Sequence, residues 1–354
     1  MQWVILGWLE AIKFVNVHTE LHYSSSSANF SGQAHVADFA HRARLFYDRV
    51  STAYSNKTCG GGMVWDSTDA PYKNAVTNEL YVAASVSMYL YLPGDNNPSP
   101  SFIVNSTNLC LDPTAHSITG GTNSTTPLQP VKPRNSTYLQ NAVDAFVWLT
   151  GINMTNTAGL YVDGFHLTNT TCDQRSEDVF SYNQGVLLSG IRGLWEATGN
   201  ASYLNYGHNL IHSTIVSTGY SNNSCGSLGC NGVMADTCDS DGSCSQDEQT
   251  FKGAYFHHLM LFCAPLPYGS IATILENQHA QLCGNYSQWI QINAAGAYST
   301  KNSSGDFGGA WGASADVNGL GRGRTVETQG GAISVFNTLY AVISNSSSSV
   351  HRRA

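Results

Sequence analysis

Apolar residues recur every three to four positions along most of the 354 residues, a period that predicts helices. Trp3, Leu6, Trp8, Leu9 and Ile12 follow it from the first residues onward, with no Ser, Thr, Asp or Asn cap before them. Phe39, Ala43, Phe46 and Val50 continue the pattern at i, i+4, i+7 and i+11, with Arg42, Arg44, Asp48 and Arg49 on the other faces. Further helices are expected over Ala75–Leu92, Tyr138–Thr150, Ser181–Thr198, Tyr203–Val216, Phe251–Cys263, Ile271–Cys283, Tyr286–Ala297 and Gln329–Ser344. Pro93-Gly94, Gly151 and Gly199 supply stop signals. Gly185, Ser189 and Gly193 form a small-residue stripe that lets a neighbouring helix approach closely. No strand signal matches these helices in strength, and no repeat of fixed period is present. The expectation is an all-α chain of antiparallel hairpins around one core. Long connections over 93–135, 157–180 and 217–250 are rich in Asn, Ser, Thr, Gly and Cys, and loops of that length usually carry function.

Composition narrows the partners. Sixteen Lys and Arg against 24 Asp and Glu give a net charge of −8, so the basic footprint of a nucleic-acid binder is missing. No apolar run approaches the ~18 residues of a membrane span. Asn-x-Ser/Thr sequons occur at Asn29, Asn56, Asn105, Asn123, Asn135, Asn153, Asn169, Asn200, Asn222, Asn285, Asn302 and Asn345. That is roughly twice what 29 Asn and 68 Ser plus Thr would produce by chance, and points to a glycosylated, secreted chain. Four of nine cysteines, Cys225, Cys230, Cys238 and Cys244, crowd one loop at gaps that suit disulfides better than zinc. Yet Glu10 and Lys13 interrupt the N-terminal apolar stretch and no basic residue precedes it, so it is not a signal peptide. Together these features create the expectation that residues before Met1 are missing, and that one of them partners the odd cysteine.

Candidate chemistry sits in four segments: Cys59-Gly60-Gly61-Gly62-Met63-Val64-Trp65 with Tyr72-Lys73-Asn74-Ala75; Gly159-Leu160-Tyr161-Val162-Asp163-Gly164; Phe180-Ser181-Tyr182-Asn183-Gln184-Gly185; and Gly308-Gly309-Ala310-Trp311-Gly312. Flat rings stack on pyranose faces and amides bond hydroxyls, so aromatic and amide residues at several helix starts suit sugar recognition. Each also has a structural reading: Asn74 and Asn183 as helix caps, Trp65 and Trp311 as core, Asp163-Gly164 as a turn. His208 with His212, and the adjacent His257-His258, do not make a metal set. Asp236, Asp239 and Asp241-Gly242 depart from calcium-loop spacing. No metal or cofactor is expected.

The ordered succession of Cys59–Trp65, Tyr72-Lys73-Asn74-Ala75 with Asn78-Glu79-Leu80, Asp163-Gly164, Tyr182-Asn183-Gln184-Gly185, Trp195-Glu196-Ala197-Thr198-Gly199-Asn200 and Phe251-Lys252-Gly253 resembles glycoside hydrolase family 76, the endo-α-1,6-mannanases. The resemblance implies an (α/α)6 barrel over residues 1–344, lacking its first helix or helices, followed by a polar tail over 345–354. It implies retaining hydrolysis of α-1,6-mannan by a neighbouring Asp pair acting as nucleophile and acid/base. No Asp-Asp dipeptide occurs in the chain, and the resemblance places that pair just before Met1. The family's Phe-Lys-Gly usually continues to an Arg, where this chain has Ala254-Tyr255-Phe256-His257. By position, Trp65, Asn74, Asn78, Asp163, Tyr182, Asn183, Gln184 and Trp311 are the residues expected to line a cleft for α-mannan, in a secreted or wall-associated protein. A wall transglycosylase and an inactive mannan-binding protein are the alternatives.

Overall fold

The computed structural model describes residues 1–23, 32–66, 71–101, 126–168, 171–267, 272–313 and 316–351. Ten helices run in order among them: α1 Gln2–His22, α2 Val36–Ser51, α3 Ala75–Tyr91, α4 Ser136–Gly151, α5 Ser181–Thr198, α6 Ser202–Ser217, α7 Phe251–Phe262, α8 Ala272–Asn285, α9 Ser287–Ser299 and α10 Val326–His351. Helix α10 runs past the expected boundary at Ser344. None of these helices is long and apolar enough to cross a membrane.

Five of them, α1, α3, α5, α7 and α10, form a parallel inner row, and the pairing of residues fixes their direction. The Gln2 amide reaches Met63 beside the start of α3, and the Lys13 amine lies over the Tyr91 ring at its end. Gly190 and Gly193 of α5 meet Val82 and Val86 of α3, where a Cβ would come within 3.0 and 2.6 Å. A Cβ on Gly185 would lie 2.4 Å from the Tyr255 backbone of α7, so the small-residue stripe serves two neighbours instead of one. Gly253 faces Gly331, and the Thr338 hydroxyl donates to the Phe256 carbonyl at 2.8 Å, which seats α10 on α7. Helices α2, α4, α6 and α9 pack outside this row, on α1, α3, α5 and α10. All five inner helices therefore start at one end of the molecule.

Among the described residues, the two end helices of the row carry exposed apolar side chains: Val4, Phe14, Val17 and Leu21 of α1, and Val326, Ile333 and Tyr340 of α10. Among the described residues the row is thus one helix short of the six in a closed (α/α)6 barrel.

The mostly helical architecture agrees with the all-α expectation, and a few short strands accompany it. Two small sheets are present. β1 Tyr72–Asn74 pairs with β2 Gly164–Thr168, which pairs with β3 Thr171–Ser176. β4 Cys225–Gly226, β5 Gly229–Cys230 and β6 Val233–Met234 form a second antiparallel set. Strands of two to six residues, several of them polar and exposed, carry no apolar alternation to detect. Four disulfides join Cys59 to Cys172, Cys225 to Cys230, Cys238 to Cys244 and Cys263 to Cys283; the ninth cysteine, Cys110, lies outside the described residues.

Candidate functional site

The site lies where the inner helices begin, and buried polar residues hold its walls. Lys73, fully buried in β1, donates its amine to the carbonyls of Ser55, Thr58 and Gly61, winding the preceding loop around itself. Gly61 and Gly62, both at positive φ, lie flat on Trp148, whose indole N–H donates to the Cys59 carbonyl at 2.9 Å. Any Cβ at either glycine would meet that ring at 2.6 Å or closer. The Cys59–Cys172 disulfide ties this loop to β3. Trp65 leaves the loop 59% exposed, its backbone N–H bonded to the Tyr72 carbonyl.

Asp163 sits half-buried between β2 and α3, its carbonyl accepting from Ala75 N–H. Its carboxylate accepts from the Tyr72 hydroxyl at 2.6 Å and, more weakly, from the Asn183 amide at 3.4 Å. Beside it, Tyr182 stacks on Phe251 with centroids 3.9 Å apart and planes 8° from parallel. Burial first, and then the charge of Asp163, push the Tyr182 phenol well up, so it remains a neutral hydroxyl. Glu79 is wholly buried on α3 and neither of its oxygens has a hydrogen-bond partner. Burial, with Asp163 adding repulsion, drives its carboxyl well above the usual range and keeps it protonated. The Asn183 side-chain oxygen is likewise buried without a partner.

The far wall is tied down by loop 217–250. Asp236 accepts from the backbone N–H and hydroxyl of Ser181 at 2.7 and 2.6 Å, capping α5 from outside the helix. Lys252 reaches Asp239 at 2.5 Å and Asp236 at 3.8 Å, so one buried cation serves both carboxylates.

Of the eight expected residues, Trp65, Asp163, Tyr182 and Asn183 gather at this end. Asn74, Asn78 and Gln184 are engaged with backbone. Asn74 caps α3 through Thr77 N–H at 3.3 Å. Asn78 pairs with both backbone groups of Met63, and Gln184 with both of Tyr161. Trp311, at 3% exposure, packs on Phe256 with its ring 5.7 Å from the Lys252 amine. Sequence reasoning missed Tyr72, Phe251 and the Asp236–Lys252 lock as parts of the site. One signal was available for Glu79: it is the lone charged residue of α3, a helix that is apolar from Leu80 to Ala84 directly after it.

The sequence model described as glycosyl hydrolase family 76 matches residues 126–338, more than half of the chain. The chain belongs to this family. Among curated relatives, the mannan endo-1,6-alpha-mannosidase DCW1 of Candida albicans is 23% identical over 227 residues, covering 62% of this chain and 39% of that protein. DCW1 of Saccharomyces cerevisiae is 23% identical over 239 residues, with 63% and 39% covered. The chain thus spans about two-fifths of the length of the curated relatives it matches. The α-1,6-mannanase of Salegentibacter sp. superposes with a TM-score of 0.61 at 17% identity, over 97% of this chain and 75% of that one. An inactive double-Asp variant of that enzyme is known in complex with α-1,6-mannotriose. Dfg5 of Chaetomium thermophilum, solved with glucosamine, superposes with a TM-score of 0.58 at 15% identity. The family's fold is the (α/α)6 barrel, to which the inner and outer helices described above correspond.

Proposed function

We propose that this chain is the glycan-holding portion of a secreted or wall-associated α-1,6-mannan-active enzyme, a retaining endo-mannosidase in the full protein. The observation that carries the reading is the cluster at the helix starts: a hydrogen-bonded Asp163 carboxylate beside the Tyr182–Phe251 stack, with the Trp65 ring exposed nearby. Asp163 can accept sugar hydroxyls while Trp65 offers a face for a pyranose ring. Retention needs two carboxylates about 5–5.5 Å apart, one ionised and one able to donate a proton. The chain holds no Asp-Asp dipeptide, and we place the catalytic pair of the full protein outside these 354 residues.

Four disulfides support an oxidising compartment. The exposed sequon residues Asn56, Asn153, Asn222 and Asn285 would present glycans to solvent.

Incubation with α-1,6-mannan tests both halves of the reading. The chain should co-sediment with the polysaccharide and release no reducing ends. Failure to sediment removes the glycan-binding reading. Release of reducing ends would show that carboxylates within the chain, Asp163 or Glu79, perform the chemistry.

A further inference from the structure

The opposite half of the inner row holds a cavity that the glycan reading does not use. It measures about 220 Å³ and is lined by α1, α3, α5, α7 and the residues just after α7. Tyr91 is the last residue of α3, Glu196 lies in the last turn of α5, and Leu261 and Ala264 flank the end of α7. All five inner helices start at the cleft, so this space lies toward their far ends, away from Asp163 and Tyr182.

Two buried polar atoms on its wall have no hydrogen-bond partner. Arg192 commits both terminal nitrogens to the carbonyls of Phe262, Ala264 and Pro265, at 3.0, 2.5 and 2.7 Å, which leaves its Nε–H as an unused donor. His258, at 2% exposure, sets Nδ1 2.8 Å from the Ser189 hydroxyl, and its Nε2 is unpaired. That hydroxyl has one proton, which its contact with the Val186 carbonyl at 3.3 Å engages. His258 Nδ1 therefore carries the ring proton, and Nε2 is a bare acceptor. Burial, with His257 adding repulsion, holds the ring neutral, at about 3. One donor and one acceptor thus stand ready on the wall, and a buried polar group left unpaired costs free energy that a bound molecule would recover.

The rest of the lining fixes the class of occupant. Its charges balance: the Lys13 amine pairs with Glu10 at 2.8 Å, and although burial pulls the Arg192 pKa down, the nearby Glu196 carboxylate opposes that loss of charge. An ionic ligand would meet as much repulsion as attraction. Leu6, Leu261 and Ala264 add an apolar face. At ~30 Å³ per water the space equals roughly seven waters, so one small molecule fills it and a chain of sugars does not fit. A hydroxyl both donates and accepts, and a sugar ring carries hydroxyls at its edge and C–H groups on its faces.

We propose that this cavity binds one free neutral hexose, with one hydroxyl donating to His258 Nε2 and another accepting from Arg192 Nε. The site is separate from the cleft and does not rest on the α-mannan reading, because the two share no residue.

Nitrogen NMR of the full chain labelled at histidine tests this, with mannose as the probe. The His258 Nε2 signal should shift saturably, since a bare imidazole nitrogen responds strongly to an incoming hydrogen bond. Ser87→Leu fills the cavity from α3 and should weaken that response roughly tenfold or more, while affinity for α-1,6-mannotriose at the cleft stays unchanged. Asp163→Ala should leave the His258 response as it is in the wild type. Should Ser87→Leu fail to fold, Leu261→Phe narrows the same space from α7. No shift at His258 with mannose, an undiminished shift in the filled variant, or a shift abolished by Asp163→Ala would overturn the proposal.

Discussion

Replacing Glu79 with Gln should stabilise the protein at neutral pH and leave it unchanged near pH 4. The side chain is wholly buried, and both oxygens lack partners. Burial, reinforced by Asp163, raises its carboxyl well above the usual value. In the unfolded chain a glutamate ionises near about 4.3. The folded state therefore holds a proton that the unfolded state releases. Stability from this group is fully present below about pH 4.3 and is lost as pH rises toward the folded carboxyl's own value. One proton corresponds to about 1.4 kcal/mol per pH unit.

Gln cannot ionise, so the stability difference between E79Q and wild type should grow at that slope, or roughly 2 °C in Tm per unit for a chain of this size. Urea unfolding of both proteins from pH 4 to 8 measures it, since every other titrating group cancels in the difference. Parallel curves would refute the reasoning, as would a carbon NMR titration that finds the Glu79 carboxyl ionising near 4.3.

Three buried histidines act in the opposite direction. His208, His258 and His279 are held at about 4, 3 and 3 by burial, so stability should be full above about pH 6.5 and fall as pH drops toward those values. The slope reaches about 4 kcal/mol per unit for three protons once the opposing Glu79 contribution of about 1.4 is removed. Urea titrations of E79Q between about pH 4.5 and 7 therefore read it; a flat profile contradicts it. Substituting Ser for Cys59 and Cys172 opens a link across 113 residues and should cost about 4–5 kcal/mol, well above the cost at the five-residue Cys225–Cys230 link, as compared by urea midpoints. Asp236→Ala removes the outside cap of α5 and one carboxylate of the Lys252 lock, and should cost about 2–4 kcal/mol; hydrogen exchange should rise first at the α5 N-terminus.

The helices were readable because their signals are redundant. Over Ser181–Thr198 the apolar period, the small-residue stripe and Gly199, which ends the helix at φ 72°, agree, and both ends fall where expected. Cysteine spacing supported disulfides but could not reveal that Cys59 reaches Cys172, because the loop between them crosses the whole of α3 and α4. The site was only partly legible. An Asn amide uses the same donor and acceptor for a backbone group as for a sugar hydroxyl, so Asn78 and Gln184 read as binding residues until their partners, Met63 and Tyr161, are seen. Lys73 is the reverse case: a residue type that favours water proved to be the buried post around which the loop is wound. Tyr72 stood inside the most specific motif, yet nothing in the sequence says that its hydroxyl meets a carboxylate ninety-one residues later.

Calorimetric titration of the chain with α-1,6-mannotriose tests the central claim most directly. The account expects saturable binding that weakens roughly 10–100-fold in Asp163→Ala, the cost of losing a hydrogen bond to a charged group. Absence of binding heat, or equal affinity in the variant, would contradict it.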